Sequence, residues 1–262
     1  MSRTGSRMLA AAGASGDFTL PNNTVRLIST YNLGSITMSV GGATCYATDA
    51  TFVNSGNQMW VLYRATVAGT EFQIRSYNLS TAYDITTASY NNGYEGYLTS
   101  GLSAPTKYSA SAFVTDGTNL LVRFMQIAAG VNEKGFYFKG TCSSANNIST
   151  LGSTSIGSIE DIASYGGLDI DPTTNNVGTA NTKVFRGNFD GSASLFDRLG
   201  FDTLSAAWGN TVSSSGGTGA NNFPFWSQIE NVSGFSFNDN GSFALLTFHQ
   251  GKLILSDFDN AS

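Results

Sequence analysis

The sequence predicts an all-β fold, a small β-propeller of about four blades closed by an N-terminal strand. Three observations carry this. A strand–turn–strand unit recurs at intervals of several tens of residues. Gly (30 residues), Ser, Thr and Asn fill the gaps between short aromatic and β-branched runs, which is how strands and tight turns are written. Helical periodicity is almost absent, with Arg7–Ala12 and Phe196–Trp208 as the only stretches able to hold a turn or two.

Residues 1–17 read as an arm preceding a single domain over 18–262. Arg3 and Arg7 precede a small-residue run, Met8–Ser15, whose apolar core, Met8–Ala12, is shorter than the ~7–15 residues of a secretory signal. No stretch is apolar enough to cross a membrane. Chain ends fray unless tied down, and a Gly/Ala/Ser arm has little of its own to pack. It is therefore expected to lie against another protein through Arg3, Arg7, Met8 and Leu9, or else on its own domain. Val25–Tyr31 reads as a strand that completes the last blade beside Lys252–Phe258.

The first full unit runs from Phe52-Val53 through a turn at Asn54–Asn57 into Met59-Trp60-Val61-Leu62, then Phe72–Tyr77 and a polar corner ending at Tyr90. Its start is echoed at Phe113, Leu168 and Phe235, at intervals of 61, 55 and 67 residues. Tyr31–Gly34, Asn188–Gly191 and Asp257–Asn260 resemble part of the corner, which later units otherwise lose. Ser213–Gly219 reads as a long surface loop. A blade of three or four strands cannot bury both faces alone, so neighbours must stack, and closing a ring removes exposed edges. Five blades is the neighbouring count, and a β-sandwich or jelly roll is the competing arrangement.

The segment Tyr77-Asn78-Leu79-Ser80-Thr81-Ala82-Tyr83-Asp84-Ile85-Thr86-Thr87-Ala88-Ser89-Tyr90 resembles a repeat of propeller-like proteins from bacteriophages and environmental bacteria, in which it follows a hairpin like Ser55–Val61. The opening Ser6–Gly13 is similar to the start of structural proteins of marine tailed phages. The resemblance implies a virion location, other virion proteins as partners, and a role in capsid decoration or in the tail and fibre apparatus.

The chain is poor in catalytic constellations. His249 is the one histidine, so every Ser-His-Asp arrangement and every His-rich metal site would depend on it. The acids Glu71, Glu95, Glu133, Glu160, Asp161 and Glu230 are scattered, and nothing brings two together as glycosidases require. No enzyme activity is expected. Cys45 and Cys142 are 97 positions apart and read as reduced, partly buried thiols. Asp169, Asp171 and Asn175 alternate as calcium ligands do, but without the glycine and distal glutamate of an EF-hand. Asx-rich turns of this composition usually cap their own backbone instead, so no cofactor is expected, with calcium as the exception to test. Thirteen Lys and Arg against 18 Asp and Glu give a net charge of −5, the wrong balance for nucleic acid.

What remains is surface. Tyr90, Tyr94 and Tyr97 among Asn and Gly, and Phe225-Trp226 after Asn221-Asn222, form a candidate rim patch of stacking faces beside amides. The competing reading is that these aromatics plug gaps between blades. Two functions follow: a non-enzymatic structural component, with self-association and adhesion to a host surface as further expected contacts, and a carbohydrate-binding module that recognises host-surface glycans.

Overall fold

In the computed structural model the described residues are 33, 35–37, 42, 44–65, 71–97, 108–126, 134–157, 160–161, 168–170, 182–188, 198–217, 232–237, 243–248 and 253–257. Among them the fold is all-β: strands joined by short turns, with 3-10 turns and no α-helix. The first sheet runs β1 (Ser35–Thr37), β2 (Thr44–Val53), β3 (Gln58–Ala65), β4 (Glu71–Leu79), β5 (Ala88–Tyr97) in chain order. The second orders β6 (Tyr108–Thr115), β7 (Asn119–Gln126) and β8 (Lys134–Cys142), with β9 (Leu151–Ile156) and β10 (Glu160–Asp161) both on β8. The third is β11 (Leu168–Ile170), β12 (Lys183–Asn188), β13 (Arg198–Leu204), β14 (Val212–Gly217), and the fourth is β15 (Val232–Phe237), β16 (Phe243–Phe248), β17 (Leu253–Asp257). All these pairs are antiparallel. Strand β2 of the first sheet lies beside β6, and the first strands of the later sheets follow in turn, β6 beside β11 and β11 beside β15.

Three expectations are corrected. Ser213–Gly217 is strand β14 rather than loop, because its backbone pairs along β13. The stretch proposed as helical holds strand β13, paired on both sides. Tyr90–Tyr97 lies in strand β5 rather than in a loop. The arm 1–17 and the closing strand Val25–Tyr31 lie outside the described residues. The described strand nearest the N-terminus, β1, pairs with β2.

Strand alternation places side chains on opposite faces of a sheet, and here both faces of the first sheet are buried. Trp60, Leu62, Phe72 and Ile74 pack against Phe124, Phe136 and Phe138 of the second sheet. Met59, Val61, Tyr63 and Tyr77 line the opposite face with Cys45. A further cluster joins Ala112, Val114, Leu121 and Tyr137 of the second sheet to Val184, Leu204 and Trp208 of the third.

The first strands share a bulge. Thr48 in β2 and Ser111 in β6 are each the extra residue, and their hydroxyls donate to Leu62 O (3.4 Å) and Arg123 O (3.3 Å). Past its bulge, Asp49 accepts the Phe113 N–H at 3.0 Å, tying the first sheet to the second.

The outer corners also repeat. Tyr83 (between β4 and β5) and Asn146 (between β8 and β9) both have left-handed φ, 65° and 60°. Each donates its N–H to a hairpin glycine of its own sheet, Tyr83 to Gly56 O at 2.9 Å and Asn146 to Gly117 O at 2.7 Å. Glycine is needed there. Its φ is +81° or +87°, and a Cβ on Gly56 would lie 2.5 Å from the Tyr83 ring, one on Gly117 against the Asn146 carboxamide. Thr87 and Thr150 lock the two corners, their hydroxyls donating to Asp84 O and Asn147 O at 2.8 Å.

A third corner spans 205–211, with Trp208 at φ 54° and buried. Tyr83, Asn146 and Trp208 stand 63 and 62 residues apart. The expectation that later units lose the corner is therefore wrong: it is rebuilt with different side chains, and not at Asn188, which ends β12. Each later corner also reaches the preceding sheet, Asn92 Nδ2 donating to Asn147 Oδ1 and Asn210 Nδ2 to Ser155 Oγ, both at 2.9 Å.

Candidate binding surface

Because β5 is a strand, it separates the tyrosines grouped from sequence. Tyr90 pairs with Tyr77 and Tyr94 with Ile74, so they point to opposite faces. Tyr94 packs against Phe72 (6.1 Å between centroids) and Phe138 (6.4 Å) at the junction of the first two sheets. Burial raises its phenol pKa, a hydrogen bond from Thr154 opposing. It is a gap-filling residue. Tyr97 pairs through its backbone with Glu71 at the far end of the strand.

Tyr90 is the exposed one, at 56 %. Its ring lies along its own strand, the hydroxyl 3.4 Å from where a Cβ on Gly93 would stand. The Arg75 guanidinium sits 5.2 Å from the ring centroid, and Tyr77 meets it edge-on at 6.0 Å. Arg75 is itself held: it lies 5.7 Å from the Tyr63 ring, and its Nε donates to Gln73 Oε1 at 2.9 Å. Gln73 Nε2 in turn donates to Glu95 Oε1 at 2.9 Å. Beneath them the Tyr63 and Tyr77 hydroxyls share a hydrogen bond of 2.8 Å. A chain of named contacts thus fixes an exposed aromatic face from below.

Sequence reasoning did not single out Arg75 or Gln73. The signal was the period-2 pattern of Phe72–Tyr77, which sets Gln73, Arg75 and Tyr77 on one face.

Cys45 and Cys142 are free and buried. Burial, then the charges of Glu71 and Glu95, push the Cys45 thiol up to about 11; burial and Asp116 do the same for Cys142, also to about 11. Thiols so protonated are poor nucleophiles and poor metal ligands. A second polar group is internal: the Tyr137 hydroxyl donates to Asp202 Oδ2 at 2.6 Å, and the Arg123 guanidinium lies 5.8 Å from the Tyr137 ring. All three are buried where the second sheet meets the third.

Asp169 lies in β11, its backbone paired with Phe185, while Asp171 and Asn175 fall outside the described residues. So do Arg3, Arg7, Met8, Leu9, Phe225, Trp226 and His249. Among the described residues no group of three His, Cys, Asp or Glu could hold a metal ion, and no helix is long and apolar enough to cross a membrane.

The class these features define is an all-β repeat protein of consecutive antiparallel meanders with an exposed, braced aromatic. No protein-family model matches the chain, and no curated protein matches it in sequence.

Proposed function

We propose that the four sheets are the blades of a closed β-propeller, and that the protein is a non-enzymatic structural component of a tailed-phage virion. It would act through protein–protein contacts in capsid decoration or in the tail and fibre apparatus. One observation carries the propeller: both faces of the first sheet are buried although the second sheet covers only one. Successive first strands running side by side and amide contacts at successive junctions support it. Blades set radially around a central channel, each packed between two neighbours, would produce this pattern.

Closure by an N-terminal strand is part of the proposal, and the strand order among the described residues is compatible with it. The first three sheets have a strand beyond the corner, β5, β9 and β14, whereas the fourth is described only as far as β17. Asn23-Thr24-Val25 matches Asn210-Thr211-Val212, the end of the third corner and the start of its outer strand. On this reading Val25–Tyr31 would supply an outer strand beside β17. The virion role rests on the resemblance of Tyr77–Tyr90 to phage propeller repeats and on the arm.

Solution mass and thermal unfolding of the full chain and of forms starting at residues 18 and 32 test both parts. The form starting at 18 should fold as a monomer while the full chain associates. Loss of residues 18–31 should unfold the protein or make it aggregate by exposing β17. Equal stability of the two truncated forms would overturn closure. Identical monomers with and without 1–17 would overturn the arm as an attachment device.

A further inference from the structure

We infer that the Tyr90 ledge of the first sheet is a binding site for a neutral pyranose sugar. Every residue involved lies in β3, β4 or β5, so the site does not depend on a virion location.

The first argument is preorganisation. An aromatic that must stack on a ligand gains most when its ring is already held, since little side-chain freedom is then lost on binding. Tyr90 is held on three sides, by Arg75, by the edge of Tyr77 and by the open strip over Gly93. Yet more than half of it faces solvent. Any other side chain at residue 93 would crowd this arrangement, because its Cβ would also stand 3.1 Å from Ile74 O.

The surroundings then select the ligand. Among the described residues Tyr46 and Tyr90 are the large hydrophobic side chains left exposed, and the neighbours Ser89 and Asn91 are exposed and polar. A lone aromatic in a polar setting is a poor match for a protein partner, which would want a contiguous apolar patch. A nucleobase would bring phosphates to a chain of net charge −5. A pyranose offers one apolar C–H face about the size of a phenol ring, rimmed by hydroxyls. The ring of Tyr90 suits the face; the terminal N–H groups of Arg75 suit the rim.

Charge separates neutral from acidic sugars. Glu95 is linked to Arg75 through Gln73, and both Glu71 and Glu95 act on Cys45 across the same face. A carboxylated sugar would meet these acids beside a single cation.

The test is saturation-transfer NMR on the full chain with methyl glycosides of glucose, galactose, mannose and N-acetylglucosamine at ~10 mM, suited to millimolar affinity. Methyl glucuronide is the acidic comparator. Transfer is expected to the ring C–H protons of at least one neutral glycoside, retained in Tyr90→Phe and reduced about fivefold or more in Tyr90→Ala. It should persist in Tyr46→Ala, which removes the other exposed tyrosine. No transfer from any neutral glycoside overturns the proposal, as does equal transfer in Tyr90→Ala and Tyr90→Phe. Stronger transfer to glucuronide overturns the choice of neutral sugar. A monomeric propeller that shows the expected transfer would sink the arm but leave the ledge standing.

Discussion

On the face of the first sheet that meets the second, Phe72 stands edge-on to Phe124 and to Phe138, each at 5.2 Å, while Phe124 stacks on Phe136 at 5.0 Å. On the opposite face of the same sheet the side chains are Tyr63, Gln73, Arg75, Tyr77 and Cys45, joined by hydrogen bonds and cation–π contacts. The two surfaces correspond residue by residue. Aligning the sheets on their bulges puts Tyr63, Gln73 and Arg75 where the second sheet has Phe124, Phe136 and Phe138. At these equivalent positions the second sheet is thus apolar where the first carries hydroxyl, amide and guanidinium groups, although the backbone is the same. Apolar burial is non-directional and strong per area, whereas a buried polar network contributes little net energy and demands geometry. The fold tolerates either at one structural position, provided each polar group finds a partner.

The largest way to test that contrast is at Phe72. Phe72→Ala removes the centre of the aromatic junction and should cost about 3–5 kcal/mol in denaturant unfolding. Next come the glycines beneath the corners. Gly117→Ala should cost about 2–3 kcal/mol, because it combines positive φ with a clash against Asn146, and Gly56→Ala should cost the same against Tyr83. If one is neutral, the two corners are not equivalent. Tyr63→Phe then probes the polar face alone: it deletes one hydroxyl of the pair with Tyr77 and should cost about 1–2 kcal/mol. A loss as large as that of Phe72→Ala would break the comparison.

The two faces also show what could be read from residues alone. Hairpins and strand alternation were legible because Met59–Tyr63 and Phe72–Tyr77 are written in β-branched and aromatic residues with turn residues between. The repeat register was not. Phe52 and Phe113 look alike, but the bulges align Asp49 with Ala112, so Phe113 corresponds to Ala50, two positions away. The first hairpin loop is longer, and anchoring on it gave uneven spacings. The corner, 63 and 62 residues apart, is the better ruler, yet its key residue is Tyr, Asn or Trp. What all three share is a left-handed backbone, with a threonine lock in the first two, features that side-chain chemistry hides. Strand β14 was hidden for a related reason: Ser213–Gly217 has no strand propensity, and its pairing with β13 is a tertiary effect. Of the ledge, Tyr90 was legible as an aromatic among amides, while its support from Arg75 required knowing that both share a face.

Each face carries its own reporter, which allows the smallest difference to be measured. Cys45 lies in the polar cluster and Cys142 in the aromatic one. Burial holds both thiols protonated in the folded state, so labelling at pH 8 goes through local opening, where each regains its ordinary pKa, and the rates compare how often each cluster opens. The working pH follows from the direction of these shifts. With folded values above the ordinary 9.0, the folded state keeps protons that the unfolded state releases. Stability is then intact below pH 9 and is lost as pH rises through about 11, a fall in melting temperature that Cys45→Ala with Cys142→Ala should blunt. Below that range, Cys45 should react with a thiol reagent about fivefold faster than Cys142, an opening difference of about 1 kcal/mol. Mass spectrometry of the labelled peptides reads the ratio directly. If Cys142 reacts as fast or faster, the aromatic cluster is no tighter than the polar one, and exchanging phenylalanine for a hydrogen-bonded network carries no cost in local stability.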